Sequence, residues 1–143
     1  MTELVYVRGL PGSGKSTFSK KIADNLGHTH VEADQFFTDG DGKYNFDCAK
    51  LPDAHWRCMI DTIRNLTAGK SVVVANTGTT REEIFQYREI ANKCGSNFVV
   101  VKMTGDFGSV HNVPIVTIDR MKRRWEDWPD EITTEQFLTG GAP

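Results

Sequence analysis

The sequence predicts an α/β domain in which helices cover a parallel sheet. Three observations point there. Strand-like and helix-like segments alternate along the chain, the pattern of repeated strand–helix–strand units. A glycine-rich stretch follows the first strand and leads straight into a helix. The most apolar strand segment, residues 71–75, reads as a central strand. At 143 residues the chain has the usual size of one domain, so residues 1–143 are expected to fold as a single unit.

The elements follow in order. Residues 4–7 form the first strand. Phe18, Ile22, Ala23 and Leu26 then recur at helical spacing, and Gly27 supplies a stop. Residues 29–33 are a short second strand, and the polar stretch 38–50, with Gly40 and Gly42, reads as a loop. Trp56, Met59, Ile63 and Leu66 mark the apolar stripe of the next helix, which ends at Ala68-Gly69-Lys70. After the strand at 71–75, Thr80 and Glu83 make a capping-box pattern. Ile84, Tyr87, Ala91 and Cys94 line one face of the helix that follows, and Gly95 ends it. Residues 98–103 are the fourth strand. Val113-Pro114 opens a further helix through Ile118, Met121 and Trp125, with Met121 and Trp125 toward the core. Beyond Trp128 the chain suggests a short helix and then a frayed end, Gly140-Gly141-Ala142-Pro143.

With 38% hydrophobic and 25% charged residues, the composition is that of an ordinary soluble globular protein. No apolar run is long enough to span a bilayer, and the opening residues make a strand pattern rather than a signal peptide. A cytoplasmic location with no membrane partner is therefore expected. The net charge of −2 argues against a surface built for tight, non-specific nucleic-acid binding, and leaves room for a local basic site. Cys48, Cys58 and Cys94 are odd in number and lack C-x-x-C spacing, so they suggest structural roles rather than a disulfide framework or a zinc site.

The chemistry is concentrated in Gly9-Leu10-Pro11-Gly12-Ser13-Gly14-Lys15-Ser16, a complete G-x-x-x-x-G-K-[ST] phosphate-binding loop followed by Thr17. Glycines let the backbone curl until successive N–H groups point at phosphate oxygens. The helix that starts near Lys15 adds the positive end of its dipole. Gly9, Pro11, Gly12, Ser13, Gly14, Lys15, Ser16 and Thr17 are thus the expected nucleotide-binding set. Lys15 is expected to neutralise the β- and γ-phosphates and Ser16 to ligate magnesium.

In an open parallel sheet, ligands sit beyond the carboxyl ends of the strands. Asp34, Asn76, Thr77, Thr104 and Asp106 follow strands and are the polar residues to read there. Asp34 is the candidate general base, because an acceptor hydroxyl is a poor nucleophile until its proton has somewhere to go. The same residue would also suit a loop aspartate that caps a turn. Arg120, Arg123 and Arg124 belong to the densest cationic cluster and could share a helix side. Cations over a transferring phosphoryl group commonly come from a mobile lid, here about residues 105–125; a solvated basic face is the alternative. Arg8 would complete a salt bridge. His28 and His30 alternate on a strand edge as surface residues. Phe36 and Phe37 suit either stacking on a base or burial under the second helix.

The phosphate loop, Asp34-Gln35-Phe36-Phe37, Gly42-Lys43-Tyr44-Asn45-Phe46, Ala54-His55, Asn76-Thr77, His111-Asn112-Val113-Pro114 and Arg120-Met121 together resemble the polynucleotide-kinase-like P-loop kinases. The likeness runs over nearly the whole chain. It implies a three-layer P-loop NTPase fold with parallel strands in the order 2-3-1-4 and a small helical lid. It also implies ATP as the nucleotide, since no base-reading N-K-x-D motif is present. It further implies γ-phosphoryl transfer to a hydroxyl, with the residue at the position of Asp34 as base and lid arginines on the phosphates. Members of that family often carry an aspartate at or just before the position of Asn76; this chain has none there. The expected function is an ATP- and Mg2+-dependent phosphotransferase acting on the 5′-hydroxyl of single-stranded RNA or DNA. The alternatives are a kinase for a nucleoside, sugar or antibiotic, and a nucleotide-binding module without turnover.

Overall fold

The structure, a computed structural model, describes residues 1–106 and 113–140. Four parallel strands, β1 (Glu3–Arg8), β2 (Thr29–Val31), β3 (Val72–Asn76) and β4 (Asn97–Lys102), form one sheet in the order β2-β3-β1-β4. This is the expected 2-3-1-4 order. The central pair is in register from Leu4 against Val72 to Arg8 against Asn76. Both strands are buried on both faces, which is why they read as continuous apolar runs rather than alternating ones.

Alternation reappears in which layer each side chain enters. Leu4, Tyr6, Val72 and Val74 pack with Cys58, Leu66, Ile84, Tyr87 and Ala91, beneath α2 (Leu51–Thr67) and α3 (Arg81–Lys93). Val5, Val7, Val73 and Val101 pack on the opposite face with Phe18 and Ile22 of α1 (Lys15–Leu26), while Phe137 of α5 (Thr134–Thr139) closes that layer. The three layers are therefore helices, sheet and helices.

Local signals set most boundaries. Gly27, at φ 73°, ends α1 in the left-handed conformation that glycine tolerates best. The Thr80 side chain accepts from the Glu83 amide and caps α3. The Glu83 carboxylate accepts from the Thr79 amide at 3.1 Å, one residue earlier than a capping box would place it.

Several expectations are corrected. The buried row of α2 is Ala54, Cys58, Thr62 and Leu66, whereas Trp56 and Ile63 are exposed. The helix presents Ala54, Cys58 and Thr62 to the core together with the expected Leu66, Met59 packs at the edge, and Trp56 and Ile63 face outward. Leu26 is likewise exposed. Strand β2 stops at Val31, because the chain enters a 3-10 turn, Ala33–Phe37, that includes the Phe pair. Within the segment 38–50, Thr38 bridges Tyr44 and a second 3-10 turn spans Cys48–Lys50. Cys48 is exposed and Cys94 only half-buried. The helix α4 (Ile115–Arg124) carries no buried residue, so Met121 does not enter the core. Trp125, at its end, instead covers the Arg8 guanidinium. Residues 107–112 of the expected lid, with His111 and Asn112, and residues 141–143 of the expected frayed end lie outside the described residues. Among the described residues, no helix is long and apolar enough to cross a membrane.

Candidate active site

The phosphate loop leaves β1 at its carboxyl end. Gly12 and Gly14 have φ of 81° and 93°, which side chains with a Cβ rarely adopt. Gly9 is constrained differently: a Cβ there would strike Ser13 Oγ and come within 2.9 Å of Met103 Cβ. Its amide donates to Thr77 O at 3.2 Å, which ties the loop to the end of β3. The curl leaves donors unspent. Among the described residues, the amides of Gly14, Lys15, Ser16 and Thr17 have no backbone acceptor, as expected at the start of a helix. Ser13 Oγ is buried without a hydrogen-bond partner. A buried orphan hydroxyl and a ring of open amides suit a phosphate.

Lys15 Nζ donates to Leu10 O at 3.2 Å. Burial pushes its ammonium below the ordinary lysine value, while the charges of Asp34 and Glu32 push it back up. Lys15 thus lies within electrostatic reach of both carboxylates. Glu32, for which the sequence raised no expectation, also borders the loop. Its Oε2 accepts from Ser16 Oγ at 3.0 Å and from His30 Nε2 at 3.1 Å. Burial works against its ionisation, but His30, Ser16 and Lys15 together hold its carboxyl below the usual glutamate value. The expectation that His28 and His30 are loose surface residues is corrected. His30 serves Glu32, and His28 Nε2 lies 2.9 Å from Glu3 Oε2.

Asp34 sits in the 3-10 turn and accepts from the Tyr44 hydroxyl at 3.4 Å. Burial and the Asp34 charge push the Tyr44 phenol up to about 12, so it remains a donor. The turn itself is pinned by Asn76, whose Oδ1 accepts from the Ala33 amide at 2.9 Å. Asn76 Nδ2 reaches Tyr87 Oη at 3.5 Å and Cys58 Sγ at 3.6 Å. A buried amide thus stands at the end of β3 and positions the segment that carries both Glu32 and Asp34. Phe37 is buried against Ala33 and Ala54, with Tyr44 beside it, whereas Phe36 remains partly exposed.

The arginines divide. Arg124 Nε donates to Thr79 Oγ1 at 3.1 Å, in the connection between β3 and α3. Arg120 and Arg123 are exposed on α4. Arg8, by contrast, is wholly buried, and its Nη1 pairs with Glu131 Oε2 at 3.3 Å. A groove of about 1040 Å3 runs between α3 and β4 past Phe85, Arg88 and Trp128 and contains none of these site residues. Among the described residues, no group of three or more His, Cys, Asp or Glu side chains is placed to hold a metal. Ser16 with Glu32 is the pair that fits a magnesium ion bound mainly through water and phosphate oxygens.

A model of the AAA-domain family matches residues 4–106. The chain is 27% identical to a probable gluconokinase of Rattus norvegicus, over 94% of this chain and 80% of that protein. It is 28% identical to a shikimate kinase of Prosthecochloris aestuarii, over 85% of this chain and 57% of that protein. In fold it resembles a sugar kinase from Janibacter sp. HTCC2649, with a TM-score of 0.69 at 19% identity, covering 98% of this chain and 92% of that one.

Proposed function

The chain belongs to the AAA-domain family, and from that premise we propose that it is an ATP-dependent kinase that phosphorylates a hydroxyl of a small molecule. The observation that carries this reading is a complete phosphate loop whose Ser16 is hydrogen-bonded to Glu32 and whose Lys15 feels the charges of Glu32 and Asp34. Phosphoryl transfer needs little covalent help from a protein; it needs phosphates held, charge offset and an acceptor deprotonated. The loop amides, Ser13, Lys15 and Thr17 hold the phosphates. Ser16 and Glu32 would hold magnesium, which supplies charge neutralisation across the β- and γ-phosphates. Asp34 takes the proton of the acceptor hydroxyl. The acceptor oxygen then bonds to the γ-phosphorus, the bond to the β–γ bridging oxygen breaks, and ADP leaves. Arg120, Arg123 and Arg124 offer cations to the transferring group from α4.

For the acceptor, this reading takes the small-molecule alternative in place of the polynucleotide that the sequence resemblance implied. Two relatives are a probable gluconokinase and a shikimate kinase by name, which favours a small metabolite over a polynucleotide 5′-hydroxyl. The net charge of −2 agrees. The test is labelled γ-phosphoryl transfer from ATP to small hydroxyl compounds and, separately, to 5′-hydroxyl oligonucleotides, with Asp34→Asn as control. Label is expected on a small acceptor, and its rate should fall by about two to four powers of ten in the variant while nucleotide affinity holds. Label on oligonucleotides alone would overturn the reading.

A further inference from the structure

A cavity of about 80 Å3 opens between α2 and α3, walled by Tyr6, His55, Met59, Glu83, Gln86 and Tyr87. One hydrogen-bonded connection and one packing contact fix its place relative to the chemistry. Tyr87 in its wall is bonded to Asn76, which holds the Ala33 amide next to Asp34. Tyr6 in the same wall packs so closely on Gly78 that a Cβ there would lie 2.7 Å from its ring. Gly78 follows Thr77, whose carbonyl receives the Gly9 amide at the entrance of the phosphate loop. The cavity wall is thus tied on one side to the backbone beside the candidate base and on the other to the strand end that receives the Gly9 amide.

We propose that this cavity receives the non-reacting end of the phosphoryl acceptor, and that the acceptor is an uncharged or cationic hydroxyl compound, a polyol, sugar or amino sugar, rather than a carboxylate, phosphate or sulfate. The inference rests on the kinase reading above and narrows its substrate. The walls carry two phenols, a carboxamide, an imidazole and one carboxylate; no lysine or arginine is among them. Burial keeps both phenols protonated and therefore neutral. Glu83 commits one oxygen, Oε2, to the Thr79 amide. The side chains of His55 and Gln86 make no hydrogen bond among the described residues, so both are available to a ligand. Such walls satisfy hydroxyl groups, which donate and accept, and Glu83 favours an ammonium. An anion entering here would lose its water, meet the Glu83 charge and find no cation, a combination that rejects it. Size narrows the choice further. One water occupies about 30 Å3 in the liquid, so the cavity admits roughly three non-hydrogen atoms, the span of a hydroxymethyl or aminomethyl end.

The test uses the whole chain with ATP and magnesium. Glycerol, erythritol, xylitol, glucose and glucosamine are compared with gluconate, glycerate and shikimate, with ADP release and product mass as readouts. The neutral and amino compounds should show kcat/KM at least about tenfold above the carboxylates. Glu83→Gln, which keeps an oxygen for the Thr79 amide, should raise KM for glucosamine or a diol by about ten- to a hundredfold, with KM for ATP nearly unchanged. Gln86→Arg, at the exposed mouth, should move the preference toward carboxylates by a similar factor; unchanged thermal unfolding certifies both variants as folded. A wild-type preference for carboxylates, or a preference that Gln86→Arg leaves unmoved, would overturn the inference and leave the kinase reading standing. Transfer to none of these compounds, but to oligonucleotides, would overturn the kinase reading for small molecules itself.

Discussion

Arg8→Met is a demanding test of how the site is held, because it removes an interior guanidinium and leaves its partners in place. Arg8 is 0% exposed. Its Nε and Nη2 donate to Gly78 O at 2.9 and 2.6 Å, and Nη2 also donates to Glu126 O at 2.7 Å. Nη1 pairs with Glu131 at 3.3 Å, and the Trp125 ring covers the group at 3.9 Å. Removing one member of a buried ion pair costs about 3–5 kcal/mol, and a carbonyl left unsatisfied costs about 1–3 kcal/mol. Glu131 retains 15% side-chain exposure and a second contact, its Oε1 accepting from the Trp128 amide at 3.3 Å. The lower end of the range therefore applies, and about 3 kcal/mol is expected. At an unfolding entropy of about 2.1 cal/mol/K per residue, a chain of this length loses about 0.3 kcal/mol per degree, so the midpoint should drop by about 10 °C. Arg8→Lys keeps the charge but not the fork, and should lose about half as much. Thermal unfolding by circular dichroism at low and high salt reads both. A drop under about 2 °C, or one that salt abolishes, would mean that the guanidinium is solvated and that the segment from Trp125 to Glu131 is not anchored through it.

The remaining expectations concern the site. Lys15→Ala should abolish detectable nucleotide binding and turnover together, read by calorimetric titration with ATP; intact binding would refute the phosphate-loop assignment. Gly9→Ala should weaken nucleotide affinity at least about tenfold, because the new methyl displaces Ser13 or Met103. Glu32 gives a pH signature. Its folded carboxyl lies below the ordinary glutamate value of 4.5, so the stability that its ionisation contributes is fully present above that pH and is lost as pH falls through the lower folded value. Glu32→Gln should flatten that acid limb of the stability–pH curve; an unchanged limb would mean that the His30 and Ser16 contacts contribute nothing.

Sequence pattern was sufficient where local physics decides. The phosphate loop, the glycine stop at Gly27, the Thr80 cap and the alternation that yields a parallel sheet are all short-range signals, and each stands where it was expected. The phase of α2 was only partly legible. Of the apolar stripe Trp56, Met59, Ile63 and Leu66, the core takes Leu66 and the flank of Met59, and it otherwise selects Ala54, Cys58 and Thr62. Which face packs closest is a property of the partner surface, and no periodicity within one helix encodes it.

The site shows the same limit from the other side. Read along the chain, Asn76 marks a missing acid at the end of β3, and Glu32 is an unremarked residue between a strand and a turn. In the fold the two are parts of one arrangement. Asn76 spends its carbonyl on the Ala33 amide, and that bond fixes the turn in which Glu32 and Asp34 lie on either side of Ala33. An aspartate at position 76 could still accept from Ala33, but it would bury a second negative charge near Glu32 and lose the amide donor that reaches Tyr87 and Cys58. The amide is therefore the consistent choice once the carboxylate beside Ser16 comes from the end of β2. Asn76→Asp, which adds a charge and removes a donor without changing shape, should accordingly weaken stability by about 2 kcal/mol or more at pH 7 and recover part of that loss as pH falls. Urea unfolding at pH 5 and pH 7 reads both effects, and a variant as stable as the parent at pH 7 would show that the end of β3 tolerates an acid and that Glu32 is not its replacement.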